Sequence, residues 1–208
     1  ARLLTSVDTV TNQMRAKNIY SDFLFQTLLS YRSLCDMFIN LNNFNKASSI
    51  RDEQMSKNLE WLIKKKYPSQ KVILWLASSH MIKDNQSSYR NPSKQISMGY
   101  YYSKNKTNPT AFTIGFTSDS GKGNAIGNMS YNVPKSKSQS IENIFKTFRK
   151  DLLFVSLINY KPNFEDEYLF SKIDGGKNIS AKWYEAIDGI FFISKMTPAT
   201  KRLTHHTN

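Results

Sequence analysis

The stretch that decides the fold is Lys71-Val72-Ile73-Leu74-Trp75-Leu76-Ala77-Ser78-Ser79-His80. Its apolar run, Val72 to Ala77, is too short for a buried helix and is rich in branched side chains, so it predicts a strand buried on both faces, like an inner parallel strand. In open α/β sheets, ligands bind outside the carboxyl ends of the strands. The polar residues that follow this run, and His80 above all, are therefore the first candidates for a functional site.

The composition is that of a folded domain, because 39% of the 208 residues are hydrophobic and 13% are aromatic. Lys and Arg number 29 against 16 Asp and Glu, and the resulting charge of +13 favours anionic ligands. These basic residues are dispersed, with no zinc-finger spacing and no aromatic-basic RNA-binding motif, so nucleic acid is an unlikely partner. No apolar run approaches the roughly 20 residues that cross a bilayer, so no membrane span is expected.

The single cysteine, Cys35, cannot form an internal disulfide, which favours a cytoplasmic protein and leaves open a secreted one without disulfides. The chain begins Ala1-Arg2-Leu3, without methionine and inside a predicted helix. We therefore expect that upstream residues, and with them any signal peptide, are missing from this sequence. The sequence leaves the oligomeric state open.

Apolar residues at spacings of three and four predict helices over Leu3–Lys17 and Ser21–Asn43. Together they predict a helical hairpin over residues 1–46, a candidate lid. A third helix is expected to start at Ser49, because Ser49 and Asp52 have the spacing of a capping box.

On that third helix, which should run to about Lys66, Arg51 and Asn58 share one stripe with apolar residues. A buried guanidinium must be paired or must face something anionic. Arg51 and Asn58 are therefore expected either to tie the helix to a neighbouring loop or to border the site that faces His80.

The remaining chain predicts an α/β domain over residues 47–203, followed by a tail over 204–208. Its elements are a polar loop (81–93), a short helix (94–103), a hairpin of Ala111–Thr117 with Ala125–Val133, a helix (141–149), and buried strands at Leu152–Ile158 and Gly189–Ile193. We expect a mostly parallel central sheet, built from the Val72, Leu152 and Ile190 strands, flanked by helices and carrying the antiparallel hairpin at one edge.

No metal and no cofactor are expected. Glu165-Asp166-Glu167 are adjacent acids that do not face one point, so they predict a solvated surface. Gly121-Lys122-Gly123 lacks the spacing of a phosphate-binding loop. His205-His206 lies in the polar tail, where a disordered terminus is the default expectation.

Several motifs together resemble the carboxyl-terminal half of the erythromycin-esterase-like proteins. They are Arg51-Asp52-x-x-Met55-x-x-Asn58-Leu59-x-Trp61-Leu62, then Lys71-Val72-Ile73-Leu74-Trp75 with its following histidine, Met98-Gly99, Ile114-Gly115-Phe116, and Asp188-Gly189-Ile190-Phe191-Phe192-Ile193 before Thr197-Pro198-Ala199. The resemblance spans about Ser48 to Leu203. It implies that the 47–203 domain is the carboxyl-terminal half of a larger domain.

In that family the strand typically closes with Trp-Ala-His-Asn-x-His, whereas here Ala77 replaces the first histidine, Ser78 replaces the asparagine, and His80 is the second histidine. The resemblance implies hydrolysis of a lactone by a histidine-activated water, without metal. It also implies a Gly-Glu-x-x-His-Gly type motif in the amino-terminal half, which these 208 residues do not contain.

Two functions follow as hypotheses. In the first, the chain belongs to an ester or lactone hydrolase of the antibiotic-resistance type, with a small-molecule substrate. His80 would act as general base, acid or substrate hydrogen-bonder, Arg51 would stabilise developing negative charge, and Ser79 would be a polar contact. Ser79 and His80 would not form a nucleophile pair, because adjacent residues of an extended chain point to opposite faces.

In the second hypothesis, the chain is a non-catalytic binding domain of the same fold. Its basic surface and the cluster Tyr100, Tyr101 and Tyr102 would hold an anionic or glycosylated partner. Turnover of esters by the protein and by a His80→Ala variant separates the two hypotheses.

Overall fold

The computed structural model describes residues 2–19, 23–124, 130–159 and 168–198. The chain divides into two compact units, residues 1–113 and 114–208. The first unit holds long helices and the second holds the sheets, so the predicted α/β class is confirmed. The predicted domain boundary near residue 46 stays a prediction.

The first unit is helical. Its elements are α1 (Arg2–Ala16), α2 (Phe23–Ile39), α3 (Phe44–Trp61), α4 (Ser78–Met81) and α5 (Met98–Lys104), and a π-helical turn, Leu62–Lys66, extends α3. Helix α1 packs against α2, and α2 packs against α3. The predicted helical hairpin is therefore present, and Ser21, the first residue of its predicted second helix, lies outside the described residues.

Helix α3 begins earlier than the capping-box spacing predicted. Its N-cap is Asn43, whose side chain accepts a hydrogen bond from the amide of Lys46 at 3.1 Å. Ser49 lies inside the helix, where its hydroxyl donates to the carbonyl of Asn45. The capping-box prediction is wrong because an asparagine upstream caps the helix, which frees the Asp52 carboxylate for another role.

The predicted inner strand at Val72 is also wrong. Residues 70–77 form no regular element, and Ile73 and Trp75 are 93% and 81% exposed. An inner strand needs a hydrogen-bonded strand on each edge, and the described residues of this unit form none. The apolar run therefore lies largely exposed on the surface, without regular structure.

The second unit contains a four-stranded sheet in the order β2-β1-β6-β3 and a two-stranded sheet, β4-β5. Its elements are β1 (Ile114–Asn124), β2 (Ser130–Asn132), α6 (Ile141–Lys146), β3 (Leu152–Ser156), β4 (Leu169–Ser171), β5 (Ile179–Ala181), α7 (Trp183–Ala186) and β6 (Gly189–Met196). The central pair, β1 and β6, is parallel, and both flanking pairs are antiparallel. The sheet is mixed.

The predicted hairpin of β1 and β2 is present, with Lys122 opposite Asn132. Strand β1 continues to Asn124, so residues 118–124, which lie between the two predicted strands, belong to the strand instead. Residues 125–129 lie outside the described part of the chain.

One face of the four-stranded sheet is covered. Ile190 and Phe192 are 1% and 0% exposed, and the Phe145 ring of α6 meets Phe192 edge-on at 5.7 Å. On the edge strand β3, Leu152 and Phe154 are 61% and 48% exposed. The Leu152 strand was predicted to be buried, but it is an edge strand with alternating exposure.

Glu142 is a fully buried carboxylate that holds this unit together. Its Oε1 accepts hydrogen bonds from the hydroxyls of Thr117 (2.5 Å) and Ser171 (2.7 Å) and from the amide of Lys172 (2.8 Å). These donors come from β1 and from the end of β4, so one side chain on α6 joins both sheets.

Replacing Glu142 with alanine should lower the free energy of unfolding by about 3 kcal/mol, because buried donors would lose their acceptor. Urea unfolding followed by circular dichroism measures the change. Glu142→Gln keeps one acceptor oxygen and should cost about 1 kcal/mol. An alanine variant as stable as the wild type would show that the hydrogen bonds to Oε1 do not stabilise the fold.

Two sequence features, Glu165-Asp166-Glu167 and His205-His206, lie outside the described residues. Within the described ranges, no three His, Cys, Asp or Glu side chains come together in a way that could hold a metal ion. No helix in the same ranges is long and apolar enough to cross a membrane.

Candidate functional site

His80 forms a hydrogen-bonded pair with a buried carboxylate in the first unit. Its Nδ1 lies 2.9 Å from Oδ2 of Asp52, which is fully buried. The same Oδ2 accepts the amide of Met98 at 3.2 Å. A carboxylate on Nδ1 fixes the orientation of an imidazole and stabilises the imidazolium that forms when Nε2 takes a proton.

Arg51 closes the cluster from the other side of the ring. Its Nη2 lies 3.1 Å from Nε2 of His80, and its Nε lies 3.5 Å from Oδ1 of Asp52. A guanidinium only donates, so Nε2 is the acceptor and the proton of the neutral ring lies on Nδ1, facing Asp52. The lone pair that a general base needs is therefore on the side where Arg51 lies.

The cluster sits where buried and exposed surfaces meet. The side chain of His80 is 18% exposed and that of Arg51 is 49% exposed, whereas Asp52 is fully covered. The arginine was expected either to tie its helix to a loop or to face His80. It does the latter, while Asn58 donates to the hydroxyl of Ser30 on α2.

Local structure explains why these side chains meet. Asp52 shares the buried side of α3 with small residues, Ser48 and Ser56, which leave room for another element to approach. Gly99 provides that approach, since a Cβ at Gly99 would lie 2.3 Å from the carbonyl oxygen of Met81. This close backbone contact lets α5 pack beside α4, which carries His80.

Sequence reasoning missed Asp52 as a member of the site. The residue stands next to Arg51 in the resembling motif, but its spacing from Ser49 suggested a helix cap. One signal could have identified it: Ser48, Asp52 and Ser56 recur at intervals of four, so a carboxylate lies in a stripe of small residues. Such a buried acid requires a partner.

The other predicted residues are placed less directly. Ser79 lies half-buried in α4, and within the described residues its side chain forms no hydrogen bond to Arg51 or His80. Its role as a substrate contact stays a prediction. Of the three tyrosines, Tyr102 is 7% exposed and donates to the carbonyl of Pro109, so the trio does not form one surface cluster.

A cavity of about 400 Å³ lies between α2 and α3. Its wall is formed by Thr27, Ser30, Tyr31, Ser33, Leu34, Met37, Arg51, Gln54, Met55 and Asn58. Arg51 thus contacts the ring of His80 and also lines the cavity. A ligand in the cavity that reached this guanidinium would come next to Nε2.

The loop that follows His80 is fixed by Asp84. The carboxylate of Asp84 accepts the amides of Gln86 (3.0 Å) and Ser87 (2.8 Å) and the hydroxyl of Ser87 (2.5 Å). Burial raises the pKa of Asp84, but these hydrogen bonds and the ammonium of Lys104 lower it more, so the pKa lies below its ordinary value of 3.8. The charged form is therefore stabilised by folding.

An Asp84→Asn variant tests this linkage. Because the folded pKa is the lower one, the stabilisation by Asp84 is complete above pH 3.8 and is lost as the pH falls through the folded pKa. At pH 7 the variant should be about 1 kcal/mol less stable than the wild type. Thermal melts at decreasing pH should show this difference shrinking below pH 3.8. A difference that is independent of pH would contradict the assignment.

Comparison with known proteins places this chain in a family. The model of the family described as erythromycin esterase matches residues 16–196, so the chain belongs to the erythromycin esterase family. The resemblance found in the sequence is confirmed. No curated protein sequence matches this chain.

Three solved structures share the fold. One is a protein from Bacillus cereus (16% identity, TM-score 0.69), which covers 94% of this chain and is itself covered over 52% of its length. The second is a succinoglycan biosynthesis protein with 14% identity and a TM-score of 0.69, and the match covers 93% of this chain and 49% of that protein. The third is a histidine-to-asparagine variant of erythromycin esterase EreC in its open conformation. Its identity is 14% and its TM-score is 0.59, and the match covers 97% of this chain and 52% of that protein. The chain thus spans about half the length of these structures.

Proposed function

We propose that this chain carries part of the active site of a hydrolase that cleaves an ester or lactone with a water activated by His80. The observation that supports this function best is the array of Asp52, His80 and Arg51. A buried carboxylate orients the imidazole, and a cation lies beside the reactive nitrogen. Family membership supports the reaction class.

In the proposed reaction, the carbonyl oxygen of the substrate draws the guanidinium of Arg51 away from Nε2. The freed Nε2 takes a proton from water, while the water oxygen bonds to the carbonyl carbon and the carbonyl oxygen becomes an oxyanion. Arg51 stabilises this oxyanion, and Asp52 stabilises the imidazolium. On collapse, the bond to the alkoxy oxygen breaks, and that oxygen takes the proton from Nε2 to leave as an alcohol. The acid product then ionises.

A second candidate is a binding domain that holds an anionic group with Arg51 and performs no reaction. One observation favours it: Nε2 of His80 is occupied by Arg51 in this structure, and His80 is the only histidine among the described residues. In this case ligands would bind without any release of acid.

Acid release in a pH-stat with the full chain and a panel of aryl esters, alkyl esters and lactones tests the proposal. Arg51→Met should lower kcat/KM by about 10²–10³-fold, the effect of losing one oxyanion donor. Lys57→Met is the matched control. Lys57 lies on the same helix in an exposed pair with Glu53, and its substitution removes one positive charge, as Arg51→Met does. Absence of turnover above background on the whole panel would favour the binding domain.

A further inference from the structure

The proposed chemical step does not by itself give a role to the cavity between α2 and α3, because His80 does not line it. Its volume of about 400 Å³ falls in the range of pockets that bind small organic ligands. Leu34, Met37 and Met55 supply aliphatic surface on both helices. Chemistry of the rest of the wall indicates which ligand fits.

The polar groups of the wall are largely bonded to one another. Asn58 donates to Ser30 at 3.0 Å, and Gln54 donates to the side-chain oxygen of Asn58 at 2.9 Å. The hydroxyls of Thr27, Ser30 and Ser33 donate to backbone carbonyls of their own helix or of α3. A ligand that passes along this wall therefore gains little from carrying polar groups, since these donors are already used.

Arg51 is the exception. Among the described residues that line the cavity, it alone carries a formal charge, and no carboxylate lines the wall with it. Its side chain is 49% exposed, and among the described residues its polar contacts with His80 and Asp52 use Nη2 and Nε. The remaining N–H groups are oriented by a fork geometry that suits a carboxylate.

We propose that the cavity binds the acyl chain of the substrate, that this chain is an aliphatic one of medium length, and that Arg51 binds the carboxylate after hydrolysis. The proposal rests on the proposed hydrolase function for its reaction, but the binding can be measured without turnover. It predicts that a free aliphatic carboxylate binds the chain and competes with esters, whereas the matching alcohol, which has no charge, binds poorly.

Octanoate and octanol are the probes, titrated into the full chain by calorimetry and by nuclear magnetic resonance. Arg51→Met should weaken octanoate binding by about ten- to a hundredfold, as expected for hydrogen bonds to a charged group. Lys57→Met should leave it unchanged, although it removes the same charge from the same helix. Met37→Trp fills the cavity and should abolish octanoate binding without touching Arg51.

Thermal melts establish whether each variant is folded. If Arg51→Met does not fold, octanoate binding by Met37→Trp decides whether the cavity is the binding site. The inference is overturned if octanoate does not bind the wild type at millimolar concentrations, if it binds Met37→Trp as tightly, or if octanol binds as well as octanoate. Octanoate binding without ester hydrolysis would refute only the hydrolase function. Hydrolysis that octanoate does not inhibit would refute only the acyl-site assignment.

Discussion

Replacing His80 with glutamine is expected to lower kcat/KM for ester hydrolysis by about 10²–10⁴-fold, the range for loss of a general base. Glutamine can still accept a hydrogen bond from Arg51 and donate one to Asp52, but it does not take a proton near neutral pH. The fold should therefore survive while the chemistry is lost. Initial rates in a pH-stat, beside a thermal melt of each protein, measure both effects.

The smaller His80→Ala variant leaves a space where exogenous imidazole can act. Imidazole should restore part of the activity to His80→Ala and none to His80→Gln, because only the alanine variant has room for it. Hydrolysis that continues unchanged in both variants would remove His80 from the mechanism and would place the base elsewhere.

Replacing Asp52 with asparagine is expected to lower kcat by about 10²–10⁴-fold, comparable to the loss of the orienting carboxylate in other carboxylate-histidine pairs. The asparagine oxygen can still accept from Met98 and His80, but its amide would then face the guanidinium of Arg51, donor against donor. The imidazolium would also lose its counter-charge. KM should change less than kcat, because Asp52 is fully buried and does not contact substrate.

An Asp52→Ala variant separates the structural share of this effect. It leaves buried donors without an acceptor and should lower the free energy of unfolding by about 3–5 kcal/mol, as when one partner of a buried pair is removed. Glu53→Gln is the matched control: the side chain of this neighbouring acid is exposed and pairs with Lys57, so the substitution should change stability by less than about 1 kcal/mol. If Asp52→Asn hydrolyses esters at the wild-type rate, the carboxylate has no part in positioning His80.

The sequence predicts α1, α2 and the body of α3 because their hydrophobic periodicity is local, but it misses the upstream start of α3 and the short helix α4. It also offers the His80 site as one of two partners for Arg51, since a guanidinium on an apolar stripe needs a partner, and the structure selects that one. The position of Asp52 could not be obtained in the same way. Its contact with His80 joins residues far apart in the chain, and the nearby serine offered a local explanation for the acid.

The error at Val72 has a different cause. The composition of a segment can indicate that it suits a buried strand. Whether the segment pairs into a sheet depends on the free edges that neighbouring strands provide. Leu152 to Ser156 shows the same limit, because the apolar run forms a strand but lies at an edge. Apolar content therefore predicted the strand at Leu152, but it wrongly predicted one at Val72, and it did not show how much of either segment is covered.

The surface position of Val72 to Trp75 has a consequence for the behaviour of the protein in solution. An exposed apolar segment without regular structure favours contact between copies of a protein. The charge of +13 opposes such contact by mutual repulsion, and dissolved salt weakens that repulsion. Aggregation should therefore increase with ionic strength. Because His80 follows this segment closely in the chain, aggregation through the segment would also obstruct access to the imidazole.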